Sequence, residues 1–149
     1  MKRILITGAN GQIGSELVGY LRENYEVIAS DVNLSNCSEP KEELNVLDKQ
    51  RLLDICQKHE ADTLIHLAAI LSVKAEQNVP LAWDINMQGL INALEVAKEL
   101  KLQFFSPSSI GVFSSESPRD NTPYLTPMRP NTIYGITKLA GELLCDYYY

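Results

Sequence analysis

The stretch Ile4–Leu17, ILITGANGQIGSEL, decides the fold. Ile4, Leu5 and Ile6 form an unbroken apolar run, the pattern of a strand buried on both faces of a parallel sheet. Thr7 and Gly8 end the run, and glycine returns at 11 and 14. From Gln12 the pattern is helical, with Ile13, Leu17, Tyr20 and Leu21 at spacings that put them on one face. A glycine triplet between strand and helix reads as a dinucleotide-binding turn. Gly8 allows the tight turn, Gly11 lets backbone amides approach a pyrophosphate, and Gly14 lets the helix lie close to the strand. The helix N-terminus then directs its unpaired N–H groups at that phosphate.

Glu26–Ser30 reads as the second strand, with Asp31 at its carboxyl end, 17 residues beyond Gly14. A carboxylate at about that distance bonds the ribose hydroxyls of the adenosine half. It repels a 2′-phosphate, and Val32 and Asn33 bring no cation to offset it, so NAD is favoured over NADP. Val32–Leu44 is polar and holds Pro40, as a surface connection does. Asp48 is placed to cap a helix carrying Leu52, Leu53, Ile55 and Cys56. Asp62–Ala69 reads as a buried strand in which His66 is a core histidine, and Leu67, Ala68 and Ala69 form a wall that a cofactor can pass closely. A loop through Ser72 and Lys74 leads to Pro80 and a long helix with the stripe Ile85, Leu90, Ile91, Leu94 and Ala97. Within it Asn86 either turns inward to bond backbone or faces solvent. Gln103–Ser106 is a further short strand, and Ser114–Asn131, with four prolines, is a loop. A last helix starts near Thr132.

Alternation of strands and helices predicts a Rossmann-like α/β fold, a doubly wound parallel sheet of about five strands with right-handed crossovers. Residues 1–149 read as one NAD-binding domain that stops before a sixth strand and a smaller substrate domain. Hydrophobic and charged contents of 45% and 21% are those of an ordinary globular protein. The net charge of -6 argues against nucleic acid as a partner. No apolar run approaches the ~20 residues of a membrane span, and no signal-peptide core follows Met1-Lys2-Arg3. Cys37, Cys56 and Cys145 share no metal-ligand spacing and point to a reducing cytoplasm.

Tyr134 and Lys138 lie four residues apart in a helical stretch, hence on one face with Cβ atoms roughly 6 Å apart. A free phenol, with pKa about 10, is a poor base near neutrality, and bringing it to ~7 takes about 4 kcal/mol. An ammonium beside it and the positive nicotinamide ring of NAD in a water-poor cleft are sources of that stabilisation. Tyr134 would then take the proton of a substrate hydroxyl as hydride leaves the same carbon. Ser109, expected at the end of the fifth strand, is the second hydroxyl that holds the developing carbonyl oxygen.

TGANGQIG, HLAA, Asn86, PSSIGVF and YGITK, in this order, resemble the extended short-chain dehydrogenase/reductase family. AAILS (68–72), PSSIGVF (107–113), RPNTIYGITK (129–138) and ELLCDYYY (142–149) are closer still to its zinc-independent L-threonine dehydrogenases. The resemblance implies NAD-dependent oxidation of the small molecule L-threonine to 2-amino-3-oxobutanoate. It makes Tyr134 the base, Lys138 its tuner and a nicotinamide-ribose contact, Ser109 the hydroxyl partner and Ser72 a substrate contact. Gly8, Gly11, Gln12, Ile13, Gly14, Asp31, Leu67, Ala68, Ala69 and Asn86 hold the dinucleotide, with Asn45 and Val46 where the family has Asp-Val against adenine. It also implies a homodimer built from the helices after strands four and five. Two other functions fit the same motifs: a nucleotide-sugar epimerase or dehydratase, and a chain that binds NAD without turnover.

Overall fold

The computed structural model describes residues 1–149 and holds one sheet of five parallel strands in the order β3-β2-β1-β4-β5. The strands are β1 (Arg3–Thr7), β2 (Glu26–Asp31), β3 (Lys41–Glu43), β4 (Thr63–His66) and β5 (Gln103–Phe105). β1 is central: Ile4, Leu5 and Ile6 pair with Val27, Ile28 and Ala29 on one side and with Thr63, Leu64 and Ile65 on the other. The helices are α1 (Gln12–Leu21), α2 (Lys49–Lys58), α3 (Ser72–Gln77), α4 (Val79–Trp83), α5 (Gly89–Leu100) and α6 (Ile133–Tyr148). A π-helical turn, Asp84–Gln88, joins α4 to α5, and a 3-10 turn, Ile110–Val112, follows β5.

Alternate residues of a strand face opposite sides, so β1 feeds two cores at once. Leu5 packs with Ile28, Leu64, Leu52 and Ile55 of α2, and Ala93 and Val96 of α5. Ile4 and Ile6 pack with Val27, Ala29 and Val18 of α1 on the other face. Both faces are dry, which explains the unbroken apolar run. Each fully buried Leu or Ile contributes roughly 1.5–3 kcal/mol over an exposed one. Strand order reverses between β1 and β4, and in such sheets a crevice opens there beyond the carboxyl ends of the strands.

Several elements differ from the sequence expectation. Residues 41–43 of the polar connection form β3, whose pairing with Ala29, Ser30 and Asp31 needs only backbone groups. The strand over Asp62–Ala69 ends at His66, so Leu67–Ala69 run on as cleft wall beyond it, with Leu67 N still donating to Thr7 O at 3.0 Å. Ser72 and Lys74 lie in α3 rather than a loop. The buried side of α1 is Gly14 and Val18, not Ile13 and Tyr20, which are 63% and 69% exposed. Gly14 sets this rotation: a Cβ there would stand 2.7 Å from Ala9 Cα and closer to the Gly8 carbonyl, so this side alone can face the strand. Asp48 does cap α2, its carboxylate accepting from Arg51 N at 2.9 Å.

Two buried groups set the response to acid. His66, 3% exposed and bonded through Nδ1 to Thr7 Oγ1 at 2.9 Å, is pushed down to about 4 by burial, with the Lys138 charge acting the same way. Burial alone would raise Glu42, but hydrogen bonds from Lys58 and His59 and the charges of Lys58 and Arg51 hold it at about 2. Both folded values lie below the unfolded ones, so the unfolded chain binds more protons in acid and stability falls with pH. Stability is expected to be level above about pH 6.5 and to fall by about 3 kcal/mol towards pH 4 through His66. It then falls further between about pH 4.5 and 2 through Glu42. Urea midpoints against pH check this; His66→Gln should lose the upper limb, and an upper limb kept in that variant would refute the assignment.

Candidate active site

The crevice at the strand reversal is a cleft of about 510 Å³. Gly8 turns the chain there with φ +72, and a Cβ on it would stand 2.7 Å from Ala68 N, so no other residue fits the turn. Gly8, Gly11, Gln12, Ile13 and Gly14 line the cleft, as do Asp31, Asn45, Val46, Leu67, Ala68, Ala69, Tyr134 and Lys138. Asp31 Oδ2 accepts from Asn10 N and Oδ1 from Asn33 N, both at 3.1 Å, which fixes the carboxylate at the mouth of the glycine turn. These features fit a dinucleotide: a cradle that a Cβ would fill, a helix N-terminus free of acidic residues in its first turn, and one oriented carboxylate.

Asn86 and Asn92 hold the walls. Asn86, expected among the cofactor contacts, is 6% exposed and is not one of the residues lining this cleft. Its Oδ1 accepts from Ile70 N at 2.7 Å, and its Nδ2 donates to Ile70 O at 3.0 Å and to Thr137 Oγ1 at 3.1 Å. It ties the wall after Ala69 to the helix that carries Tyr134. Asn92 Nδ2 donates to Val46 O at 2.9 Å and fixes the opposite wall. Leu44, Ile70, Leu71 and Leu81 also line the cleft; Ile70 and Leu71 belong to the AAILS run, which marks neither as a contact, and Leu44 and Leu81 carry no sequence signal of their own. Ser72 is the exposed first residue of α3, next to Leu71 of the lining.

Tyr134 sits in the first turn of α6. Thr132 Oγ1 caps that helix by accepting from Gly135 N at 3.0 Å, and the Glu76 carboxylate accepts from Ile133 N at 2.7 Å. Lys138 lies one turn on, its Nζ donating to Pro107 O at 3.0 Å and standing 5.8 Å from the centre of the Tyr134 ring. Burial lowers the pKa of this ammonium, against a small opposing effect of Cys145. Ser109 is not at the end of β5, which stops at Phe105; it caps the 3-10 turn, its Oγ accepting from Gly111 N at 3.1 Å. The neighbouring Ser108 bonds Glu142 instead, on α6. Gly135 is pressed on the Gly111 carbonyl, so the start of α6 rests directly on that 3-10 turn. Ser109 Oγ and the Tyr134 ring therefore come within 4 Å of one point beside Gly111. The sequence named Ser109, Tyr134 and Lys138; the 3-10 turn and Gly135, which set Ser109 beside Tyr134, it did not.

Residues 4–149 match the model of the NAD dependent epimerase/dehydratase family. The chain belongs to that family. An uncharacterized epimerase/dehydratase of Staphylococcus aureus (strain USA300) is 49% identical over 157 residues, covering 100% of this chain and 49% of that protein. The chain thus spans about half the length of the curated relatives it matches. The L-threonine dehydrogenase of Clostridium difficile superposes with a TM-score of 0.95 at 53% identity, over 99% of this chain and 49% of that one. A UDP-glucose 4-epimerase of Thermotoga maritima superposes with a TM-score of 0.90 at 26% identity, over 98% of this chain and 50% of that one. NAD is the cofactor of this family, and the cleft is built for it.

Asp31→Ala is expected to weaken NAD binding about 10- to 100-fold, the worth of a charge-assisted hydrogen bond of 1.5–3 kcal/mol. It should narrow the preference over NADP as well. Isothermal titration with both dinucleotides measures this, and an unchanged ratio would remove Asp31 from the ribose site.

Proposed function

We propose that this chain is the cofactor-binding part of an NAD-dependent L-threonine 3-dehydrogenase. The observation that carries the chemistry is that Tyr134 and Lys138 line the NAD cleft while Ser109 Oγ and the Tyr134 ring come within 4 Å of one point beside Gly111. The likeness to threonine dehydrogenases, 41% and 53% identical over 99% of the chain, supports the choice of substrate.

In this reading Ser109 and Tyr134 both hydrogen-bond the β-hydroxyl of L-threonine, Ser109 from the 3-10 turn and Tyr134 from the start of α6. Tyr134 takes the hydroxyl proton as the carbon–oxygen bond becomes a carbonyl. Ser109 donates to the oxygen as it loses that proton, and the ammonium of Lys138 stands 5.8 Å from the centre of the Tyr134 ring. NAD, when bound, accepts the hydride leaving the same carbon, so that the products are 2-amino-3-oxobutanoate, the reduced cofactor and one proton. The loop Ile70–Leu71 and the start of α3 bring Ser72 to the edge of the same cleft, consistent with a contact to substrate.

The test is NADH formation, followed at 340 nm, with L-threonine, together with product analysis of a panel of UDP-sugars, whose epimerisation or dehydration returns the hydride and leaves no net NADH. Turnover of L-threonine supports the reading. Conversion of a UDP-sugar without it would favour the epimerase instead. Titration with NAD separates both from a chain that binds and does not react. Ile136, Leu143 and Tyr147 are 42%, 63% and 80% exposed at helical spacing on α6, which supports self-association through that helix.

A further inference from the structure

Gly111 stands where the two hydroxyl-bearing residues meet, and neither its backbone nor its packing requires glycine. Gly8 is the one glycine with positive φ, so the conformation at 111 is open to any residue. A Cβ at 111 would lie 3.4 Å from Ser109 Oγ and 3.6 Å and 3.8 Å from Cδ1 and Cε1 of Tyr134, all ordinary contacts. Gly135 differs: a Cβ there would collide with backbone, and it also stands 2.8 Å from Pro130 Cβ. What glycine provides at 111 is therefore empty space, about one methyl group in size, touching both catalytic side chains. The segment cannot drift to fill it. Its N–H is held by Ser109 Oγ at 3.1 Å, its carbonyl abuts Gly135, and the next residue, Val112, is 3% exposed. Gly111 is itself partly exposed, so the space opens outwards and not into the core.

We infer that Gly111 sets how large a substituent a substrate carries on its reacting carbon. This rests on the dehydrogenase reading above. An oxygen held by both Ser109 and Tyr134 has its carbon one bond away, and groups on that carbon reach the space beside Gly111. The substrates that fit are secondary alcohols with a short alkyl group on that carbon. A methyl group at 111 takes the place of the substrate's own. One methylene of mismatch in such a site changes kcat/KM by about 10- to 200-fold.

The experiment compares L-threonine, whose reacting carbon bears a methyl group, with L-serine, whose reacting carbon bears hydrogen, in the full-length protein and its Gly111→Ala variant. The ratio of kcat/KM for L-threonine over L-serine is expected to fall at least tenfold in the variant, with the Kd for NAD within twofold of the unsubstituted protein. A ratio that stays within twofold, in a variant that binds NAD normally, overturns the inference and leaves the dehydrogenase reading standing. Loss of folding or of NAD binding in Gly111→Ala also overturns it, because glycine would then be there for packing. Absence of turnover of either amino acid by the unsubstituted protein with NAD bound defeats the dehydrogenase reading, and the inference falls with it.

Discussion

Gly135→Ala is expected to lower kcat/KM for L-threonine by about a hundredfold while Ser109, Tyr134 and Lys138 all remain in place chemically. The added carbon has nowhere to go: the Gly111 carbonyl lies far inside van der Waals contact distance, and Pro130 Cβ is 2.8 Å away. Relief requires α6 and the 3-10 turn to separate by about an ångström, and a displacement of that size at a reacting centre costs on the order of 10²-fold. The same strain lowers stability by about 1–3 kcal/mol, typical of an overpacked contact. NAD should still bind, since the glycine turn and Asp31 lie on β1, α1 and β2, away from this contact. Steady-state kinetics with NAD titration and a urea melt checks all three. A variant whose kcat/KM stays within threefold would mean that the docking of α6 on the turn does not position Tyr134.

Tyr134→Phe is expected to lower kcat by about 10³-fold, within the 10²–10⁴-fold range for a positioned general base. The phenylalanine ring keeps the packing against Gly111 and the ammonium of Lys138, so folding and NAD affinity should be nearly unchanged. Loss of kcat with retained binding is what marks a group that handles the proton, as opposed to one that holds the cofactor. Activity within tenfold of the unsubstituted protein would move the base to another residue. The two variants are read together: Gly135→Ala displaces an intact base, whereas Tyr134→Phe leaves the geometry and removes the proton acceptor.

The cofactor half of the site was legible in sequence because its pieces are local. Gly8, Gly11 and Gly14 do their work within one turn, and Asp31 follows at the end of the next strand in the chain. The short-range pair Tyr134 and Lys138 was legible for the same reason, since helical spacing fixes it. Two expectations failed, and one open alternative was decided, where a remote contact acts. β3 exists because β2 offers a free edge to a polar segment. The rotation of α1 follows from the fit of Gly14 against the Gly8–Ala9 backbone, which outweighs the burial of Ile13 and Tyr20. Asn86 turns inward because Ile70 N and O are left without sheet partners where the wall leaves β4, and an amide supplies one acceptor and one donor at once.

By itself the sequence determined that a parallel sheet forms around β1, that its first turn takes a dinucleotide, and where the phenol, ammonium and hydroxyl of the proposal stand in the chain. The tertiary structure alone decided that Ser109 and Tyr134, 25 positions apart with a proline-rich loop between them, meet at one point. Apolar periodicity is set by a residue's own helix or strand, so it can be read along the chain. The close approach of Gly135 to the Gly111 carbonyl depends on the absence of side-chain atoms on Gly135, and an absence has meaning only once the two backbones have been brought together.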